Sequence, residues 1–228
     1  MVKLKTWEAL GRKKFREHEL LSELGIPDWE MVYQSIKAGK TDEALEWLKY
    51  VEERSLEHCD SMSSFINNVL TYLASLGEEH IFTALRDGFY SRAKLRLSVG
   101  RSAEEMVQLS TDAQRRHHAE LQVTEEPDRF VVRYDQCGTG GRLRRIRKDV
   151  GVTSKAYPWS WGKAGVPYYC CHCAILWEII PIELRGYPGR VNLIAEKPED
   201  PCIHLFYKKP ELIPEEYFTK VGKTKTIK

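Results

Sequence analysis

The sequence predicts an α+β protein: an N-terminal helical bundle followed by a cysteine-rich α+β half with short antiparallel strands. Three observations predict it. Apolar residues recur with a helical period from about residue 4 to 122. Beyond TEEPD, prolines, glycines and aromatics become dense around short β-rich runs. Five of the six cysteines lie in that second half. The division expected is therefore 1–122 for the bundle and 123–228 for the α+β half.

Taken in order, the start MVKLKTWEALGRKKFREHELL is charged throughout and reads as the first helical stretch. It lacks the uninterrupted apolar run of a signal peptide or membrane span, so the expectation is a soluble, cytoplasmic protein. In TDEALEWLKYVEERSLEHCDSMSSFINNVLTYLASLG, Val51, His58, Met62, Phe65 and Val69 fall on one stripe, and Gly77 supplies a stop. EEHIFTALRDGFYSRAKLRL continues as a helix. Ser102, followed three residues later by Glu105, is a capping box that opens SAEEMVQLSTDAQRRHHAEL. RFVVRYDQ then reads as a strand running into the glycine-rich CGTGGRL. The closing KVGKTKTIK reads as a frayed, solvated tail.

Composition narrows the function. With 228 residues, 42% of them hydrophobic, the chain can bury a core without disulfides. Its 35 basic and 33 acidic residues balance to +2, so nucleic acid is not the expected partner. No membrane partner is expected either; a small molecule is, and a homodimer is left open.

In a reducing compartment, clustered cysteines point to metal ligation or catalysis. Zinc takes four thiolate or imidazole ligands, and a C-x-x-C turn presents two of them. Cys170 and Cys173 in YYCCHC have that spacing. Cys137 and Cys202 lie at the ends of β-like segments that folding can bring to the same point, and His172 is a further ligand or an orienting neighbour. Iron is the second choice, because thiolate-rich sites accept it. Cys171 cannot share a face with both Cys170 and Cys173 and is not expected to ligate. The plain alternative is buried free cysteines packing as small hydrophobes.

Two other readings of the thiols compete. The C-x-x-C form also occurs in thiol-disulfide oxidoreductases, where it opens a helix that lowers the pKa of the first thiol, but Pro181 is expected to end AILWEII early. FVVRYDQCGTGGRLRR resembles the active loop of rhodanese sulfurtransferases, which implies sulfur transfer through Cys137 in a nest of backbone N–H groups.

Together CGTGGRL, YPWSWGKAGVPYYCCHC, WEIIPIELRGYP and PCIHLFYK resemble the signature of an uncharacterised bacterial family. The C-terminal part is also distantly similar to the 4-vinyl reductase and L-2-amino-thiazoline-4-carboxylate hydrolase type of domain. That likeness implies a cysteine-rich metal site beside a pocket for a hydrophobic or aromatic ligand.

Around the thiols, His58 sits on the apolar stripe, and His117 shares a helix face with Met106, Leu109 and Ala113. With His118 these are candidate proton carriers, though a lone histidine so placed is more often a core residue. Glu178 in WEIIPIE is a candidate general acid or base, its alternative being an ion pair with a residue such as Arg185. Arg142 adjoins the glycine nest and is expected to orient a substrate anion, with Trp159, Trp161 and Tyr169 walling an aromatic pocket. The function this predicts is metal-dependent hydrolysis or elimination on a small anionic or aromatic molecule. Its rival is a non-enzymatic ligand-binding or sensor protein with a structural zinc.

Overall fold

The computed structural model describes residues 2–10, 13–17, 20–97 and 99–227. The protein is α+β and divides into two compact units, Met1–His58 and Cys59–Lys228.

In the first unit the charged opening is a hairpin rather than the expected helix: β1 (Leu4–Trp7) pairs antiparallel with β2 (Lys13–Arg16), Leu4 opposite Arg16. The Trp7 and Phe15 rings meet at 5.8 Å, a cross-strand aromatic pair that local helix propensity does not offset. Helix α1 (Asp28–Lys37) and the first half of α2 (Thr41–Leu76) follow. Ala44, Trp47 and Tyr50 are their buried face. Arg16 lies over the Trp47 ring at 5.8 Å and donates to the Ile26 carbonyl at 2.7 Å, and its own N–H donates to Tyr50 Oη.

The second unit begins within α2, which stops at Gly77, a residue with φ of 136°. The stripe read from the sequence faces solvent: Met62, Phe65 and Val69 are exposed, and the buried positions are Ser63, Asn67 and Leu70. Periodicity fixes the pitch of a helix but not which of two neighbouring stripes is covered. Helix α3 (Glu79–Leu97) is next, then α4 (Ala103–Arg115), which opens on the capping box expected: Ser102 Oγ accepts the Glu105 N–H and Glu105 accepts that of Ser102.

Helix α4 ends before the histidines. His118 takes a left-handed φ of 55°, and β3 (Glu120–Glu125) pairs with β4 (Arg129–Gln136), so sheet pairing claims residues expected in the helix. With β5 (Val191–Leu193) and β6 (Cys202–Tyr207) these form an antiparallel sheet of order β3-β4-β6-β5. Between β4 and β5 lie α5 (Gly140–Ile146) and the helical run α6 (Cys171–Ala174), a π-turn (Ile175–Ile179) and α7 (Ile180–Arg185).

One face of the sheet packs Val132, Tyr134 and Phe206 against Val107 of α4. The larger core gathers Ile81, Ile175, Ile180, Leu205 and Phe218 around the π-turn. Because α3 and α4 pack against these elements, the compact unit extends well before residue 123. The tail is tied down rather than frayed. After α8 (Glu216–Thr219), Val221 is buried, Lys223 pairs with Glu183 at 2.8 Å and Lys225 donates to the Glu211 carbonyl.

Candidate functional site

The second unit gathers its thiols from three stretches of chain. Cys137 follows β4, Cys170 and Cys173 stand at the start of the helical run, and Cys202 opens β6. Glycine makes the approach possible. A Cβ on Gly140 would sit 2.6 Å from Cys170 Sγ, one on Gly141 2.8 Å from Cys137 Cβ, and one on Gly138 1.9 Å from the His117 carbonyl oxygen. The glycines of CGTGGRL thus allow close contact with three neighbours at once.

Burial pushes the Cys170 thiol well up, and the charges of Cys137, Cys173 and Cys202 push it further. The Cys170 sulfur is therefore within electrostatic reach of the other three. Cys202 is pushed up to about 12 by burial and by Cys137. Cys171, fully buried, points elsewhere and donates its thiol to the Pro167 carbonyl at 3.5 Å.

Cys173 goes the other way. Burial would raise its thiol, but the neighbouring His172 and then Arg190 bring it down to about 7. His172 Nε2 lies 3.5 Å from Cys173 Sγ, and Nδ1 lies 2.5 Å from the Tyr169 carbonyl. A carbonyl only accepts, so Nδ1 carries a hydrogen and Nε2 faces the sulfur. Arg190 is buried at 2% exposure, with one nitrogen 3.8 Å from Cys173 Sγ. Its others donate to Ser110 Oγ at 2.6 Å and Asn192 Oδ1 at 2.8 Å. Among the described residues no carboxylate pairs with Arg190, so its neighbour of opposite charge is the Cys173 thiolate.

Arg190 is placed by a proline. Pro181 has no N–H to give the Trp177 carbonyl one turn back, and the chain opens into the π-turn instead of ending the helix as expected. The freed Trp177 carbonyl accepts the N–H groups of Gly189 at 2.8 Å and Arg190 at 3.4 Å. The Arg190 guanidinium then stacks 4.3 Å from the Trp177 ring centre.

No family model, curated protein or solved structure matches this chain. The reading therefore rests on the residues themselves. The run after the C-x-x-C is helical, but the first thiol, Cys170, is raised and the second lowered, the reverse of a thioredoxin-like pair. Near Cys137 Sγ stands Thr139 Oγ1 at 3.6 Å, while the Arg142 backbone N–H and the Arg145 guanidinium donate to the Cys137 carbonyl.

The other residues named from the sequence separate into two groups. Tyr169 belongs to the centre, its ring 5.2 Å from that of His172. His117 is exposed and lies 4.0 Å from Cys59 Sγ; burial of part of the ring and the charges of His172 and His118 lower its pKa. His118 is in the turn beside it, and His58 is an exposed residue of the first unit. Glu178 is buried and committed: it accepts Trp161 Nε1 at 2.7 Å and the Asn192 N–H at 2.5 Å, and pairs with Lys220 at 3.4 Å rather than with Arg185. Burial raises its pKa and lowers that of Lys220. Arg142 is held by both oxygens of Asp60, at 2.7 and 2.9 Å, which joins α5 to α2. Trp159 and Trp161 are core residues.

Sequence reasoning passed over Arg190, Asn192, Tyr134 and His204. The His204 ring, buried on β6, packs 4.3 Å from that of Tyr134, and burial together with Arg190 and His172 puts its pKa well below the usual imidazole range. Its Nδ1 and the Tyr134 hydroxyl have no hydrogen-bond partner among the described residues. The available signal was CIHLFY itself: apolar residues on both faces of a strand leave a histidine between them nowhere to go but inward.

Proposed function

We propose that the second unit is a thiolate metalloprotein in which Cys137, Cys170, Cys173 and Cys202 hold zinc, or iron as the second choice, for chemistry on a small anionic or aromatic molecule. The observation that carries the reading is the convergence of thiols from three stretches of chain: the glycine loop after Cys137 closes on Cys170, which feels the charges of Cys137, Cys173 and Cys202. Four thiols gathered beside a buried cation are costly as packing and useful as ligands. Among the described residues no three His, Cys, Asp or Glu side chains stand ready as a shell for one ion. Binding would therefore draw the sulfurs together, as is usual where metal binding and folding are coupled.

The metal would supply Lewis acidity for hydrolysis or elimination. Of the proton carriers named from the sequence, His117 suits the task best: it is exposed, largely neutral at pH 7 and within electrostatic reach of His172. Glu178 and Arg142 serve the architecture through Lys220 and Asp60.

A second reading has one observation in its favour. Cys173, His172 and the Tyr169 carbonyl form a nucleophile, base and orienting group in sequence, as a cysteine-dependent acyl or group transfer would need. Metal analysis and the absorption spectrum of protein purified without chelator or oxygen decide between the two. Stoichiometric zinc or iron that is lost in Cys170→Ser supports the metal reading. Metal-free protein whose melting temperature ignores chelator, and whose Cys173 is alkylated ahead of the other thiols, overturns it in favour of the second.

A further inference from the structure

Away from the thiols, α3, α4 and the π-turn enclose a cleft of about 240 Å³. Four arginines line it, Arg92 and Arg96 from α3, Arg101 before α4 and Arg116 after it, against a single acid, Asp112. Asp112 is already engaged by Arg115 and Arg116. Arg92 and Arg96 have no carboxylate partner among the described residues, and Arg101 spends one nitrogen on the Arg96 carbonyl at 2.5 Å. Burial and the like charges of Arg92 and Arg101 act together against the Arg96 cation. Like charges gathered around a concave surface focus a positive potential into it.

The floor is apolar. Met106, Leu109 and Ala113, the helix face that the sequence shows as a hydrophobic stripe, line the cleft; Met106 also packs against the sheet core, and Leu109 is 50% exposed. Trp177 completes it, with the Arg96 guanidinium 5.8 Å from its ring centre. A concave apolar floor with a few convergent polar groups is the usual form of a small-molecule site. Here those groups are cations.

We infer that this cleft binds an organic anion: a carboxylate, sulfonate or phosphate ester carried on an acyl or aromatic body, its head held by Arg92 and Arg96 and its body laid on Met106, Leu109 and Trp177. The cleft stands apart from the proposed metal, yet one residue joins them. Arg190 stacks on Trp177 and reaches Cys173, so two side chains, Trp177 and Arg190, separate the ligand from the thiols.

The test is fluorescence titration of the purified protein with 8-anilinonaphthalene-1-sulfonate, a sulfonate on an aromatic body. One saturable site is expected, from which octanoate displaces the probe while octanol and inorganic phosphate at the same concentration do not. Arg92→Gln/Arg96→Gln should weaken the probe roughly tenfold or more, and Arg133→Gln, an exposed β4 residue outside the cleft lining, should leave it unchanged. Arg92 is exposed, so Arg92→Gln alone keeps the test alive if the pair does not fold. Unchanged affinity in these variants overturns the inference. So does displacement by octanol as readily as by octanoate, or by phosphate alone. None of these readouts depends on bound metal, so failure here and failure of the metal reading are separate results.

Discussion

Buried Arg190 and half-buried Cys173 meet at 3.8 Å, a contact in which a guanidinium lacks any carboxylate among the described residues and a thiol is held down at about 7. Each accounts for the other. A buried cation needs a counter-charge, and a buried thiol ionises near neutrality only beside positive charge. Arg190→Met should remove this support and also strand Ser110 and Asn192. The expected results are a rise of the Cys173 pKa, seen by thiolate absorbance in metal-free protein, and a loss of about 2–4 kcal/mol in urea denaturation. Arg190→Lys keeps the charge without the fork and should fall between.

The raised thiols set the proton traffic of metal binding. Cys170 and Cys202 are protonated at pH 7, and each must lose its proton to ligate. Zinc added to metal-free protein should therefore release about two protons or more, and its affinity should fall steeply as pH is lowered. Calorimetry in buffers of different ionisation enthalpy measures the number. Cys171→Ser should release as many protons as the unaltered chain, because Cys171 is turned to the Pro167 carbonyl. A smaller release in that variant would mean the ligands have been misassigned.

What could be read from sequence and what could not follow from one distinction. The Ser102 capping box and the stop at Gly77 are local patterns, each decided within a few residues. Which stripe of α2 is covered, whether Pro181 ends a helix, and where Arg190 points are decided by partners far along the chain. Asn67 and Ser63 face inward while Phe65 faces out. Pro181 is accommodated because Gly189 and Arg190 take up the carbonyl it leaves. No window of sequence contains both halves of that exchange.

The glycines give a contrast within one protein. Gly138→Ala would place a methyl 1.9 Å from the His117 carbonyl oxygen, a backbone atom that cannot swing aside. The expected cost is on the order of 3 kcal/mol, with displacement of the 137–142 loop and weaker metal retention. Gly88, in α3, has nothing within 4 Å of the same position. Gly88→Ala should stabilise by about 0.5–1 kcal/mol, since alanine removes backbone freedom from the unfolded chain at an exposed helical site. Thermal denaturation of the two variants should move the melting temperature in opposite directions.

Glu78 ties the end of α2 to the loop before the thiols and should set part of the acid stability. It accepts the Ser154 N–H at 2.7 Å, Ser154 Oγ at 2.9 Å and the Tyr168 hydroxyl at 2.7 Å. Burial alone would raise its carboxyl, but hydrogen bonds from Tyr157, Tyr168 and Ser154 overrule it and hold it down at about 2, against 4.5 for the free side chain. A pKa lowered on folding stabilises the protein above the unfolded value, and that contribution is lost as pH falls toward the folded one. The carboxylate is close to solvent, so screening reduces the effect to about 1 kcal/mol at pH 7. Glu78→Gln should therefore lower urea stability by about that amount at pH 7. The gap from the unaltered protein should close between 4.5 and about 2, where the native carboxyl takes up its proton. A gap that stays constant down to the acid limit would show that Glu78 acts through packing and neutral hydrogen bonds, and that its charge contributes nothing.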